Sequence, residues 1–177
     1  MKRVLMLSIL LTAFVGTGMV AAQEAAEPVH FSKLLPLLPD KVDGFVGDKP
    51  EGSTSSAMGF KVTEVSRTYH KGKADAEQTV ALKITDGTGN QFFAAAHAAV
   101  PQFSNETTEG YEKGFTLDGY PAIEKYTTES KDGSLSVFVG SRYWVEINVN
   151  GLDGQELQAW WKRIDAKKLA ALKPSDG

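Results

Sequence analysis

The 177-residue chain contains no cysteine. A disulfide framework, a thiolate zinc site, an iron–sulfur cluster, a cysteine nucleophile and an acylated lipoprotein cysteine are therefore all excluded. Basic clusters are missing as well. Its 19 Lys plus Arg are scattered among 22 Asp plus Glu, so the electrostatic footprint that phosphate backbones select is absent and no nucleic-acid partner is expected. The three histidines, His30, His70 and His97, lie far apart, with no HExxH and no pair at i, i+4. No G-x-S-x-G occurs either, so the sequence supplies neither a metal-ligand cluster nor a serine nucleophile. No catalytic residue, metal or cofactor is expected.

What is present begins with an address. Met1-Lys2-Arg3 gives a positive start, and Val4 to Val15 is an apolar run broken only by Ser8 and Thr12, followed by small residues up to Val20-Ala21-Ala22. The run is about 12 residues where a membrane span needs about 20. Residues 1–22 therefore read as a signal peptide cleaved after Ala22, leaving no transmembrane anchor and a protein in the periplasm or outside the cell. Without Cys, its stability must come from its core alone, whatever the redox state of that compartment.

Residues 23–30 carry no periodicity and read as a flexible lead-in, and residues 31–177 as a single domain. Phe31, Leu34, Leu35, Leu37 and Leu38 form an apolar segment that Pro36 and Pro39 limit to one or two helical turns. From Asp40 to Gly59 the Gly, Pro and Ser content predicts a long surface loop pinned by Val42, Phe45 and Val46, with Gly52-Ser53-Thr54-Ser55-Ser56 its least structured stretch. Phe60 and Val62 share one parity and Val65, Arg67 and Tyr69 the other, which predicts a strand with a bulge near Thr63-Glu64. Val80, Leu82 and Ile84 alternate with Thr79, Ala81 and Lys83 and should pair with that strand.

Phe92, Phe93, Ala96, Ala99 and Val100 fall at helical spacing before Pro101 and predict a short amphipathic helix over Asn90–Val100. Thr107 to Val149 reads as a four-strand meander. Asp118-Gly119 is its strongest turn signal. A two-residue turn there sets Leu117 against Tyr120, Phe115 against Ala122, Lys113 against Glu124 and Tyr111 against Tyr126, which places an opposite-charge pair and a Tyr pair across the strands. The last hairpin admits two registers. A three-residue loop through Arg142 is preferred, because it sets Val139, Val137 and Leu135 against Tyr143, Val145 and Ile147. Asp153 is placed to cap a final helix striped by Leu157, Trp160, Trp161 and Ile164, and Asp165 can restart a turn carrying Leu169 and Leu172.

The expected fold class is therefore α+β. An antiparallel sheet of about six strands, a hairpin plus a four-strand meander, would be covered by a middle helix and a C-terminal helix. Thr68-Tyr69-His70-Lys71-Gly72, Ile84-Thr85-Asp86-Gly87, Gly110-Tyr111-Glu112-Lys113, Gly119-Tyr120-Pro121-Ala122 and the tail from Trp161 to Leu172 together resemble small exported bacterial proteins of uncharacterised function. Their strand and helix order is similar to the fold shared by the photosystem accessory protein PsbP and the nuclear-transport factor Mog1. The resemblance covers roughly residues 31–172 and rests on turns and core positions. It implies an architecture and a tendency to act by binding other proteins, and no catalytic motif travels with it.

Several constellations have plain readings. Asp86-Gly87-Thr88-Gly89-Asn90 lacks the third Gly of a dinucleotide loop, since that position is Phe92. It also lacks the sixth-place Gly and twelfth-place acid of an EF-hand, so a turn with a helix cap accounts for it. Glu106, Glu109, Glu112, Glu124, Glu129, Asp132 and Glu146 mostly fall on predicted exposed faces, as a solvated acidic surface. Tyr111, Phe115, Tyr120 and Tyr126 line one face of a hairpin. Core is the first reading of the aromatics; any of Trp144, Trp160, Trp161 and Tyr120 left exposed is the expected contact for a ligand or partner. Three functions are in view: a non-catalytic binding or accessory module meeting another envelope protein, a carrier of a small apolar ligand or lipid in a pocket under the C-terminal helix, and a hydrolase using carboxylates scattered in sequence.

Overall fold

The computed structural model describes residues 27–57, 60–89 and 100–173, together with Ala95 and Ala98. The expected signal peptide, His97, Phe92, Phe93 and most of the expected Asn90–Val100 helix lie outside the described residues. The chain enters through α1 (Phe31–Leu34) and a 3-10 turn (Leu35–Leu37). Among the described residues nine strands follow: β1 (Phe45–Gly47), β2 (Glu51–Ala57), β3 (Phe60–Lys71), β4 (Thr79–Asp86), β5 (Phe103–Thr107), β6 (Gly110–Leu117), β7 (Tyr120–Thr127), β8 (Asp132–Val139) and β9 (Tyr143–Asn150). After β9 come two short helices, α2 (Gln155–Trp161) and α3 (Ala166–Ala171).

All nine strands join one antiparallel sheet in the order β1-β3-β4-β9-β8-β7-β6-β5, with β2 also on β3, beside β1. This corrects the expected fold class: a nine-stranded sheet with a few short helices is sheet-rich, where an α+β fold on about six strands was expected. The six expected strands are present as β3, β4 and β6 to β9. The additional ones are β1, β2 and β5. Within the stretch expected to be a loop over Asp40–Gly59, β1 and β2 both pair with β3, and the Gly-Ser-Thr-Ser-Ser run is strand throughout. Twelve-residue β3 offers a long ladder of N–H and C=O groups, and pairing to it overrides the weak intrinsic preference of Gly and Ser for strands.

A second correction concerns β3 itself. Its register runs without interruption against both β2 and β4, so no bulge exists near Thr63-Glu64. Thr63 sits on the core face in phase with Val65 and Tyr69 because its hydroxyl has a partner, Thr54 Oγ1 at 2.8 Å.

The first and last of the three hairpins in the meander have the expected registers, Lys113 against Glu124 in one and Val137 against Val145 in the other. The core lies on a single face of the sheet. Val80, Leu82 and Ile84, Leu135 and Val137, and Val145 and Ile147 are buried there beneath Leu34, Leu157, Trp160, Trp161 and Leu169. The indoles that α2 presents about 100° apart are both buried, Trp160 at 0% and Trp161 at 2% exposure, because α2 sits deep. Phe45 meets the Trp160 ring edge-on at 5.1 Å and Tyr69 lies 4.5 Å from it, so β1 and β3 wall one side. Of the three residues expected to pin the early chain, Val42 is buried, Phe45 is packed and Val46 faces out at 40% exposure.

Two clamps fix the ends. Asp86, fully buried, accepts from Val29 N at 2.7 Å, from Thr88 N and Oγ1, and from Arg142 Nη2 at 2.5 Å. Arg142 Nη1 also donates to Leu172 O, so one carboxylate and its arginine tie the lead-in, the β8–β9 turn and the tail together. Asp165 caps α3 as expected, accepting from Lys168 N at 2.8 Å.

Candidate functional site

The β6–β7 hairpin and the start of α2 build a polar cleft, and its geometry begins in the turn. Asp118 and Gly119 both have positive φ, 50° and 88°, the pairing that a two-residue hairpin loop matched to strand twist requires. That turn fixes the register, and the register aligns Tyr111, Lys113 and Phe115 with Tyr126, Glu124 and Ala122 on the core face. Asp118 also reaches beyond the turn, where its Oδ2 accepts from Trp161 Nε1 at 2.8 Å and anchors the far end of α2 to the hairpin.

Where the core face reaches the edge of α2, it carries charge. Glu124 is buried at 2% exposure yet fully engaged. Tyr111 Oη donates to its Oε1 at 2.7 Å, Lys113 Nζ lies 3.0 Å from the same oxygen, and Gln158 Nε2 donates to its Oε2 at 2.8 Å. Burial and the acceptor Glu124 push the Tyr111 hydroxyl well above its ordinary range, so it stays a donor. The Lys113 ammonium also lies 4.8 Å from the Tyr111 ring centroid and 5.2 Å from that of Phe115, within cation–π range.

Gly154 sets how close α2 can come. A Cβ there would stand 2.9 Å from Tyr111 Oη and 3.1 Å from Tyr126 Cγ, so only glycine lets α2 begin directly on the two tyrosines. Their rings pack 5.8 Å apart, and Tyr126 Oη donates to Leu152 O. Asp153 Oδ1 accepts from Gln155 N at 2.9 Å, an Asx turn that leads into α2, whose N-cap is Gly154 rather than the expected Asp153. The resulting cleft has a volume of about 580 Å³ and is lined by both signs of charge: Lys113 and Lys162 against Glu124, Asp153 and Glu156. It offers donors and acceptors together, held in place before anything binds.

The residues expected to meet a ligand fall elsewhere. Trp160 and Trp161 are core and present no ring to solvent. Half-buried Tyr120 lies 6.2 Å from the Trp161 ring and shares with Asp118 and Lys167 a smaller groove of about 490 Å³. Trp144, half-buried, stacks on Phe138 at 5.9 Å on the opposite face of the sheet, beside Lys83, which pairs with Glu146 at 2.6 Å. Phe138 and Trp144 do share that face, as the preferred register requires. Of these four residues the structure therefore brings together only Tyr120 and Trp161, which both line that smaller groove, while Trp160 lies in the core and Trp144 on the opposite face.

Of the acidic residues expected on the surface, Glu106, Glu109, Glu112 and Glu129 are exposed and Asp132 and Glu146 are half-buried. Glu124 departs from that pattern. A sequence signal for it existed: Glu124 and Lys113 stand in phase with Tyr111, Phe115, Ala122 and Tyr126, charges placed on the apolar side of a hairpin. Gln158 carried no such signal. His30 caps α1 through Ser32 N, and His70 bridges Ala76 O and Asp48 Oδ2, so each supports the fold.

Among the described residues no three His, Cys, Asp or Glu side chains are grouped to hold a metal ion, and no helix is long and apolar enough to cross a membrane. No family model, curated protein or solved structure matches the chain.

Proposed function

We propose that the protein is a non-catalytic binding module exported to the cell envelope, and that it takes a polar segment of another envelope protein into the cleft between α2 and the β6–β7 hairpin. The observation that carries this reading is the buried Glu124 with its three donors. A buried carboxylate is tolerated only where it is paired and hydrogen-bonded. Here its partners, Tyr111, Lys113 and Gln158, are the side chains that line the cleft. Glu124 thus acts as a positioning residue, holding a recognition surface rigid in advance of binding. The signal-peptide pattern of residues 1–22 supports export.

The packing of α2 favours this site over an apolar pocket under the C-terminal helices. Trp160, Trp161, Leu157 and Leu169 occupy that space as buried core. One observation supports a second reading, hydrolysis: three carboxylates, Glu124, Asp153 and Glu156, share the cleft. It predicts turnover that Glu156→Gln abolishes without lowering stability.

The test is recovery of a partner from envelope extracts with wild-type bait and with Lys162→Glu, which reverses an exposed rim charge. A partner held by wild type and lost by the variant supports the reading. Equal recovery by both baits contradicts it.

A further inference from the structure

Among the described residues the sheet ends on one side in a strand whose outer backbone is unpaired. β2 is hydrogen-bonded there only to β3, and every second residue of an edge strand directs its N–H and C=O outward. Natural sheets blunt such edges with Lys, Pro, bulges or covering segments, because a bare edge is a template for another strand. Among the described residues β2 itself is guarded only by Glu51, its first residue. Its seven residues contain no Lys and no Pro, its register against β3 is free of bulges, and residues 51–56 are exposed. Asp48-Lys49-Pro50 guards only the junction with β1. The opposite edge, β5, is shorter, carries Glu106 within its five residues and follows closely on Pro101.

We infer that β2 pairs antiparallel with β2 of a second copy of this chain, about a two-fold axis through Thr54. The strand is self-complementary in that register. Thr54 stands opposite its own counterpart, Ser53 opposite Ser55, Gly52 opposite Ser56, and the single charged residue, Glu51, opposite Ala57. No like charges meet, and hydroxyl side chains face hydroxyl side chains, a favourable cross-strand match. A two-fold axis also closes the assembly at two copies and removes this exposed edge from both. The interface is one strand wide, well below the ~1,600 Å² of a standard protein contact, so the dimer is weak and is populated at high local concentration. This pairing leaves the cleft open on both copies, since β6 and β7 lie at the other end of the sheet.

Ser53 and Ser55 are exposed and share a strand face, and within one chain they oppose Glu64 and Val62. Ser53→Lys with Ser55→Lys therefore sets Lys against Lys twice across the dimer axis, while Lys at 53 faces Glu64 within its own chain. Ser53→Lys with Ser55→Glu sets Lys against Glu twice instead. Sedimentation equilibrium on protein expressed from the full sequence should show a concentration-dependent dimer for wild type, a dissociation constant raised tenfold or more for the double Lys variant, and wild-type or tighter association for the Lys/Glu variant. A wild-type monomer at every concentration up to a millimolar overturns the inference. So does a double Lys variant that dimerises like wild type, or a Lys/Glu variant that fails to recover.

Discussion

Lys113 Nζ lies 3.0 Å from Glu124 Oε1 across β6 and β7, and the carboxylate it meets is 2% exposed. An opposite-charge pair in a hairpin is ordinarily a surface feature worth a few tenths of a kcal/mol. This one is partly desolvated and has two further donors on the carboxylate, so removing either partner has unequal consequences. Lys113→Ala leaves a buried carboxylate without its counter-ion and should lower stability by about 3 kcal/mol. Glu124→Ala removes that charge and leaves Tyr111 Oη, Lys113 Nζ and Gln158 Nε2 on half-buried side chains that water can reach, so it should lose about 1–2 kcal/mol. Urea unfolding of the two variants checks the order; a larger loss for Glu124→Ala would mean that the three donors, and not the pairing of the carboxylate, hold the cleft together.

The two indoles of α2 differ in a way that mutation can read. Trp161 Nε1 has Asp118 Oδ2 as acceptor, whereas Trp160 Nε1 is buried without a hydrogen-bond partner among the described residues. Trp161→Phe should lose about 1.5–3 kcal/mol more than Trp160→Phe, the net worth of one hydrogen bond to a charged group. Thermal unfolding of both proteins makes the comparison. Equal losses would show that the Asp118 contact contributes nothing to the docking of α2.

His70 provides a pH dependence with a definite sign. Its Nδ1 contacts Ala76 O at 3.0 Å and its Nε2 contacts Asp48 Oδ2 at 3.2 Å, and these acceptors raise its pKa above the ordinary 6.5, the Ala76 carbonyl contributing most. A raised folded value means that protonated His70 stabilises the fold fully below the unfolded value and that this contribution disappears as pH rises through the folded value. The difference in Tm between wild type and His70→Gln should therefore be largest near pH 5.5 and shrink by pH 8.5. A difference that grows with pH would contradict the pairing with Ala76 and Asp48.

The export reading has its own check. Protein recovered from the exported fraction should begin at Gln23 by intact mass. A species there that retains Met1 would remove the signal-peptide assignment.

Legibility in the sequence followed burial. The alternation of Val80, Leu82 and Ile84 named its strand, and the Asp118-Gly119 turn named two strands and their register, because each position on the core face has one correct filling and a shifted register would expose it. β2 and β5 escaped for the opposite reason. The side chains of Phe103–Thr107 and of residues 51–56 are exposed, so no alternation marks them, and it is the open ladders of β3 and β6 that make them strands. Thr63 misled by looking polar on a face where its hydroxyl meets Thr54. The cleft was half legible. The turn gave the Lys113–Glu124 pair from sequence, but the burial of Glu124 depends on α2 arriving from thirty or more residues away, with Gly154 letting it sit down on Tyr111 and Tyr126.

A partner bound in the cleft lies within reach of its rim, and site-specific photo-crosslinking reads that proximity directly. A photoreactive amino acid replaces Lys162, exposed at the rim of the cleft, or Lys125, exposed on the opposite face of β7. Irradiation in intact cells should give one discrete protein adduct from position 162 and none from position 125. Adducts from 125 alone, or from neither position while the protein is folded and exported, would contradict the account.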